Sequence, residues 1–267
     1  MGWSWLNRAV LAVLAALAAP SCSATGGSAP SGPLPGDQVV FAVGSGVGMA
    51  PAVSRVLASP ALLMYGDGRI LTKVNSLAIQ TVPPRYEIAR LDPLTVADFV
   101  SSAEATVNPG TDFGTPRVTD VGTTTVTLNG GHGEQQVRVY AFDETFEDRL
   151  STAQRTARAA LRGLIDRAAG LAGGVPRAPY SPDRVMVYEL DPRSAGTAAT
   201  VGWPGPPPAA FMTAGTRRQW IACGELMADP AEVVYSAALN NPGALWLVDG
   251  VTRQLAVNPL PMADACP

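Results

Sequence analysis

Histidine, lysine and cysteine are nearly missing from this chain of 267 residues, which holds one histidine (His132), one lysine (Lys73) and three cysteines. The single histidine leaves His132 as the sole base for any Ser-His-Asp arrangement. Three cysteines with no CxxC pair leave no metal cage to assemble, so neither a metal site nor a cofactor is expected. Only 15% of residues are charged, the net charge is −3 and no basic stripe is present. A nucleic-acid partner therefore has no electrostatic footprint. Beyond the N-terminus, no apolar run approaches the roughly 20 residues that a membrane-spanning helix requires.

The N-terminus carries what the rest lacks. Arg8 is followed by Ala9 to Ala19, an unbroken run of Ala, Val and Leu. That run suits a signal-peptide core and is too short to span a bilayer. Ala19-Pro20-Ser21-Cys22 resembles a bacterial lipobox, so residues 1–22 are expected to be a signal peptide and Cys22 a lipidation site. Ala19 stands where leucine is usual and Pro20 is uncommon there, which keeps ordinary secretory cleavage near Ser23-Ala24 open. Residues 23–37 are a Gly/Ser/Pro/Ala linker with too little apolar content to fold. The expected location is the cell envelope, on the outer face of the cytoplasmic membrane through an N-terminal lipid, or outside the cell. With Cys22 set aside, Cys223 and Cys266 remain as one pair, in an exported chain most simply a disulfide. Closing a loop of about 40 residues would contribute about 3–4 kcal/mol.

From Gln38 onward the chain is long enough for a substantial core, and 47% of all residues are apolar. Val39 to Val43 reads as a strand. Leu62–Tyr65 and Arg69–Thr72 flank Gly66-Asp67-Gly68, a strong hairpin signal. Tyr86–Leu91 is another strand, and Asp92-Pro93 starts a helix whose buried stripe is Val96, Phe99, Val100 and Ala103. Thr123–Leu128 and Gln136–Phe142 follow as strands. The longest helix is expected from Phe146 to Leu171, capped by Thr145 and Asp148. Its apolar face would be Phe146, Leu150, Ala153, Ala157, Leu161, Leu164, Ile165 and Ala168, with Arg155, Arg158, Arg162 and Asp166 opposite. Arg184–Leu190, Gln219–Gly224, Ala244–Val248 and Gln254–Val257 read as strands, the last two joined at Asp249-Gly250, and Asp229-Pro230 as another helix start. The fold class is thus α+β, antiparallel sheets built from hairpins with about three helices. Both halves read as strands, an Asp-Pro-capped helix and a hairpin, which leaves open two similar subdomains, 38–145 and 146–267, within one domain at 38–267.

The stretch from Phe41 through Gly44-Ser45-Gly46 to Tyr65-Gly66-Asp67-Gly68-Arg69-Ile70 resembles a family of uncharacterised actinobacterial secreted proteins and lipoproteins with a Tyr-Gly-Asp-Gly-Arg segment. The Pro-Leu-rich end, Pro259 to Cys266, is similar too. The resemblance implies an envelope location and transfers no catalytic residue.

Four constellations invite a functional reading. Gly44-Ser45-Gly46-Val47-Gly48-Met49 has Met49 where a dinucleotide fingerprint needs its third glycine. Ser45 lacks the flanking pattern of a nucleophile elbow, since Val43 and Val47 stand where glycine is required. Asp143, Glu144, Glu147 and Asp148 form the densest acidic cluster, which paired-carboxylate hydrolysis could use but which also suits a helix N-terminus. Trp203, ahead of Pro204-Gly205-Pro206-Pro207-Pro208, could line a binding surface or pack onto the domain edge. No catalytic set assembles. The expectation is an exported envelope protein with a binding or accessory role toward an envelope protein or glycolipid; the alternative is an exported hydrolase using paired carboxylates.

Overall fold

Alternating hydrophobicity and tight turns set most of the architecture. The computed structural model describes residues 34–46, 50–74, 80–191, 199–215, 220–260 and 266. In chain order these form β1 (Val39–Gly46), α1 (Ala52–Val56), β2 (Leu62–Tyr65), β3 (Arg69–Lys73), β4 (Tyr86–Arg90), α2 (Pro93–Ala103), β5 (Thr123–Gly130) and β6 (Gly133–Tyr140). Then come α3 (Thr152–Gly173), β7 (Arg177–Pro179), β8 (Arg184–Leu190), β9 (Thr200–Gly202), β10 (Met212–Ala214), β11 (Ala222–Met227), α4 (Asp229–Asn240), β12 (Leu245–Val248) and β13 (Val251–Asn258). The fold is α+β, as the hairpin pattern predicts, with the short α1 added to the three expected helices.

The strands make two sheets, ordered β6-β5-β1-β2-β3-β4-β7 and β10-β11-β8-β13-β12-β9. Among the described residues all pairings are antiparallel except β9 with β12. The first sheet lays Val40, Phe41, Met64, Ile70, Val126 and Leu128 against α2 and α3, where Phe41 and Phe99 meet edge to face. The second sheet packs Val185, Val187, Trp246 and Val257 against Val234 and Tyr235 of α4. Its opposite face is sealed by Val56 of α1 and by Leu57 just after it, which pack with Tyr188, Leu190, Trp220 and Cys223. An early helix therefore completes a late sheet, and residues 31–267 form one compact unit. The first sheet and its helices extend through β7, and the second sheet takes its strands from β8 onward.

The local signals act as read in several places. Asp92 accepts from the Leu94 amide and Pro93 occupies the first helical position of α2. Asp249 and Gly250 both adopt positive φ, 48° and 79°, as a two-residue hairpin turn between β12 and β13 demands. Other signals are overridden. α3 begins at Thr152 rather than Phe146, because Ser151 and Gln154 form a reciprocal capping box. Residues Glu144–Phe146 instead make a separate 3-10 turn capped by Asp143. Ala153 is exposed, while Arg158, read as facing solvent, is fully buried. α4 is not capped by Asp229: that residue is already helical, and Ala228 precedes it at φ 56° with no side-chain cap.

Candidate functional site

The Tyr-Gly-Asp-Gly-Arg segment closes the β2–β3 hairpin, and its glycines have a packing reason. A Cβ on Gly66 would strike the carbonyl of Pro35, and one on Gly68, at φ 91°, that of Leu91. The turn thus aims Asp67 back at Arg69. The Asp67 Oδ1 accepts from the Arg69 amide (3.1 Å) and Oδ2 from its Nε (2.7 Å). So held, the guanidinium lies over the Tyr65 ring, 4.4 Å from its centre, a cation–π contact.

The segment following β7 meets this hairpin. The Tyr180 amide donates to the Tyr86 carbonyl at 2.9 Å, and Tyr65 and Tyr180 pack against the same patch of Leu63, Leu71 and Tyr86. Arg184 pairs with Glu225 at 3.3 Å. Burial pushes both phenols, Tyr65 and Tyr180, above the usual tyrosine range; Asp183 adds to this, and Arg69 and Arg184 oppose it. The Tyr86 and Tyr235 hydroxyls donate to the carbonyls of Pro60 and Pro84. Tyr65 and Tyr180 make no such bond among the described residues. Two half-buried aromatic rings with uncommitted hydroxyls therefore sit beside two guanidiniums and the carboxylates of Asp67 and Asp183. Aromatic faces and forked donors next to carboxylate acceptors suit a ligand that is apolar on its ring faces and rich in hydroxyls on its rim. Sequence reading singled out the hairpin half of this cluster through the motif. The Tyr180–Arg184 half carries no local signal, because only the fold brings it near.

The acidic cluster is committed elsewhere. Glu147 is buried, and both of its oxygens accept from Arg162, at 2.5 and 3.4 Å. Arg158 lies 3.7 Å from the same carboxylate and Glu144 pairs with Arg162 at 3.1 Å. The Arg158 guanidinium donates to the carbonyls of Phe113, Ala141 and Tyr140 at 2.6–2.8 Å. Burial lowers the Arg158 pKa, partly offset by Glu147, whereas the hydrogen bond to Glu147 raises that of Arg162. This is a brace fastening the Glu144–Phe146 turn and the end of β6 to α3. Asp143, at the turn's start, accepts from the Thr145 amide and hydroxyl.

The remaining candidates stand apart from one another. His132 is exposed in the β5–β6 turn, its Nδ1 3.1 Å from Glu104 Oε2. Ser45 is exposed on β1, and residues 47–49 lie outside the described residues. Trp203 is half-buried: its indole N–H donates to the Pro206 carbonyl at 2.8 Å and its ring meets Trp246 edge to face at 5.4 Å. A Cβ on Gly205 would strike that indole and Val234, so the proline-rich segment folds over the second core. Cys223 and Cys266 lie at disulfide distance, Cα atoms 6.0 Å apart. Cys22 falls outside the described residues. A cleft lined by Val53, Leu57, Asn241, Trp246 and Gln254 encloses about 40 Å³, room for ordered water rather than a substrate.

This geometry defines the class of protein: an α+β domain of two largely antiparallel sheets, with an aromatic and arginine surface where the β2–β3 hairpin of the first meets the start of β8. Comparison with known protein families, with curated proteins and with solved structures finds no match to the chain.

Proposed function

We propose that this chain is an exported envelope protein, tethered by a lipid on Cys22, whose folded domain binds the sugar headgroup of an envelope glycolipid without chemically altering it. The observation carrying this reading is the Tyr65–Arg69 stack beside Tyr180, with two phenol hydroxyls left uncommitted among the described residues. A sugar presents apolar ring faces and rim hydroxyls, which such rings and guanidiniums complement. The signal-like N-terminus, the linker at 23–37 and the resemblance of the Tyr65–Arg69 segment to secreted proteins support the location. Paired-carboxylate hydrolysis is the weaker reading. It needs one carboxyl to give up and regain a proton, and the buried member of the acidic cluster, Glu147, is held on both oxygens by Arg162.

Two measurements test the proposal. The full chain should bind phosphatidylglycerol vesicles carrying a glycosyl diacylglycerol more tightly than vesicles without it. Tyr65→Ala and Tyr180→Ala should abolish that difference while circular dichroism shows the domain still folded at the assay temperature; equal binding to both vesicle types defeats the sugar reading. Cys22→Ala should move the protein from membrane fractions to the medium, and wild-type protein found only in the medium defeats the anchor.

A further inference from the structure

We infer that β6 is a self-complementary edge through which two copies of this chain join their first sheets into one. β6 ends the sheet order, pairing with β5 in unbroken register from Tyr140 to Gly133. It has no proline, no bulge and eight residues of length, so among the usual devices that blunt an edge it carries only charge, on Glu134 and Arg138.

The hydrogen-bond phase shows which groups are free. The Ala141 amide donates to the Gly122 carbonyl at 3.0 Å, continuing the β5–β6 ladder. Residues of an antiparallel strand alternate between facing the partner and facing away. Counting back, Val139, Val137 and Gln135 address β5, while Tyr140, Arg138, Gln136 and Glu134 point their amides and carbonyls outward. The Tyr140 carbonyl is taken by Arg158 Nη2 at 2.6 Å. Glu134, Gln136 and Arg138 remain, all exposed, with side chains on one face of the sheet.

Their order makes the edge complementary to itself. An antiparallel two-fold pairing centred on Gln136 sets Gln136 against its own copy and Glu134 of each chain against Arg138 of the other. Every outward amide and carbonyl of these three residues is then paired, and opposite charges face each other across the strands. Centring on Val137 instead would oppose Arg138 to Gln136 and Glu134 to Tyr140, whose carbonyl is already occupied. Charge and hydrogen bonding therefore choose one register. On the other face, Gln135 Oε1 is buried with no hydrogen-bond partner. The same pairing brings Gln135 of the two copies to diagonal positions, within reach for long side chains.

The test is sedimentation equilibrium on the full chain. The wild type should show a monomer–dimer equilibrium. Glu134→Arg and Arg138→Glu, made separately, place like charges opposite each other and should each weaken the dimer about tenfold or more. Mixing the two variants should restore dimerisation as a heterodimer, because each Arg then faces a Glu. Gln136→Pro removes an outward amide and leaves the β5 ladder intact, so it should abolish the dimer at unchanged circular dichroism. A wild type that stays monomeric at every concentration reached, or a dimer indifferent to all three substitutions, overturns the inference. Neither outcome bears on the glycan surface, which Tyr65→Ala probes separately.

Discussion

Ser59 and Asn258, 199 residues apart in sequence, share a buried hydrogen bond of 2.8 Å. The Asn258 carbonyl oxygen accepts it together with one from the Leu260 amide, while the Asn258 side-chain amide donates to the carbonyls of Val56 and Ala58. All four hydrogen-bonding positions of this fully buried amide are used, and they clasp the end of β13 to the segment following α1. Asn258→Leu would strand two carbonyls and an amide, and leave the Ser59 hydroxyl only its long bond to the Leu57 carbonyl (3.4 Å). A loss of about 2–4 kcal/mol is expected from urea unfolding, since each buried unsatisfied group costs about 1–3 kcal/mol before relaxation.

Arg158 gives the second prediction. Its planar fork reaches three carbonyls that a lysine ammonium, as a single point, could not serve together. Arg158→Leu should destabilise the domain by about 3–5 kcal/mol. Arg158→Lys should recover less than half of that. A lysine variant as stable as wild type would show that charge alone matters here.

The Cys223–Cys266 pair has a sequence separation of 43. Cys223→Ser should lower stability by about 2–4 kcal/mol, and wild-type protein under reducing conditions should melt with the variant. Thiol titration of the unfolded, unreduced protein checks the premise directly: the pair should be absent from the count.

Alkaline pH should weaken the fold through its tyrosines. Burial pushes the Tyr180 phenol up to about 12, against about 10 in the unfolded chain. The neutral form is favoured in the folded state, so this contribution is complete below about pH 10 and disappears as pH rises through about 12. Phenolate absorbance followed across that range should show a late-titrating group that Tyr180→Phe removes.

The turns and caps with a private chemistry were readable from the sequence. Asp249-Gly250 permits the positive φ values of a hairpin, and Asp92-Pro93 satisfies the first amides of α2 without outside help. Residue type alone places Arg158 in solvent, where a guanidinium usually sits. Its spacing says otherwise: it lies three, ten and fourteen residues before Leu161, Ala168 and Ala172, on the buried stripe of α3. The side of α3 was therefore legible, but not the three carbonyls that make burying a guanidinium tolerable. The candidate surface was half legible for a related reason. Tyr65, Asp67 and Arg69 act on one another locally, whereas Tyr180 arrives only when β7 joins the first sheet and Arg184 only when β8 opens the second. The parallel pairing of β9 with β12 likewise leaves no local trace.

The exchange of partners between early and late segments also fixes an order of events in synthesis. α1 is made among the first sixty residues, yet the face it covers requires β8 and β13, and the carbonyls of Val56 and Ala58 wait for Asn258. Tyr235 must likewise be present before Pro84 gains its donor. A ribosome-bound chain can pair β2 with β3 and form α2 on its own, but it cannot finish either sheet's environment until nearly all of it has emerged. Premature termination before residue 258 should therefore leave α1 without a seat, and the early segment, rather than the missing tail, as the first target of proteolysis.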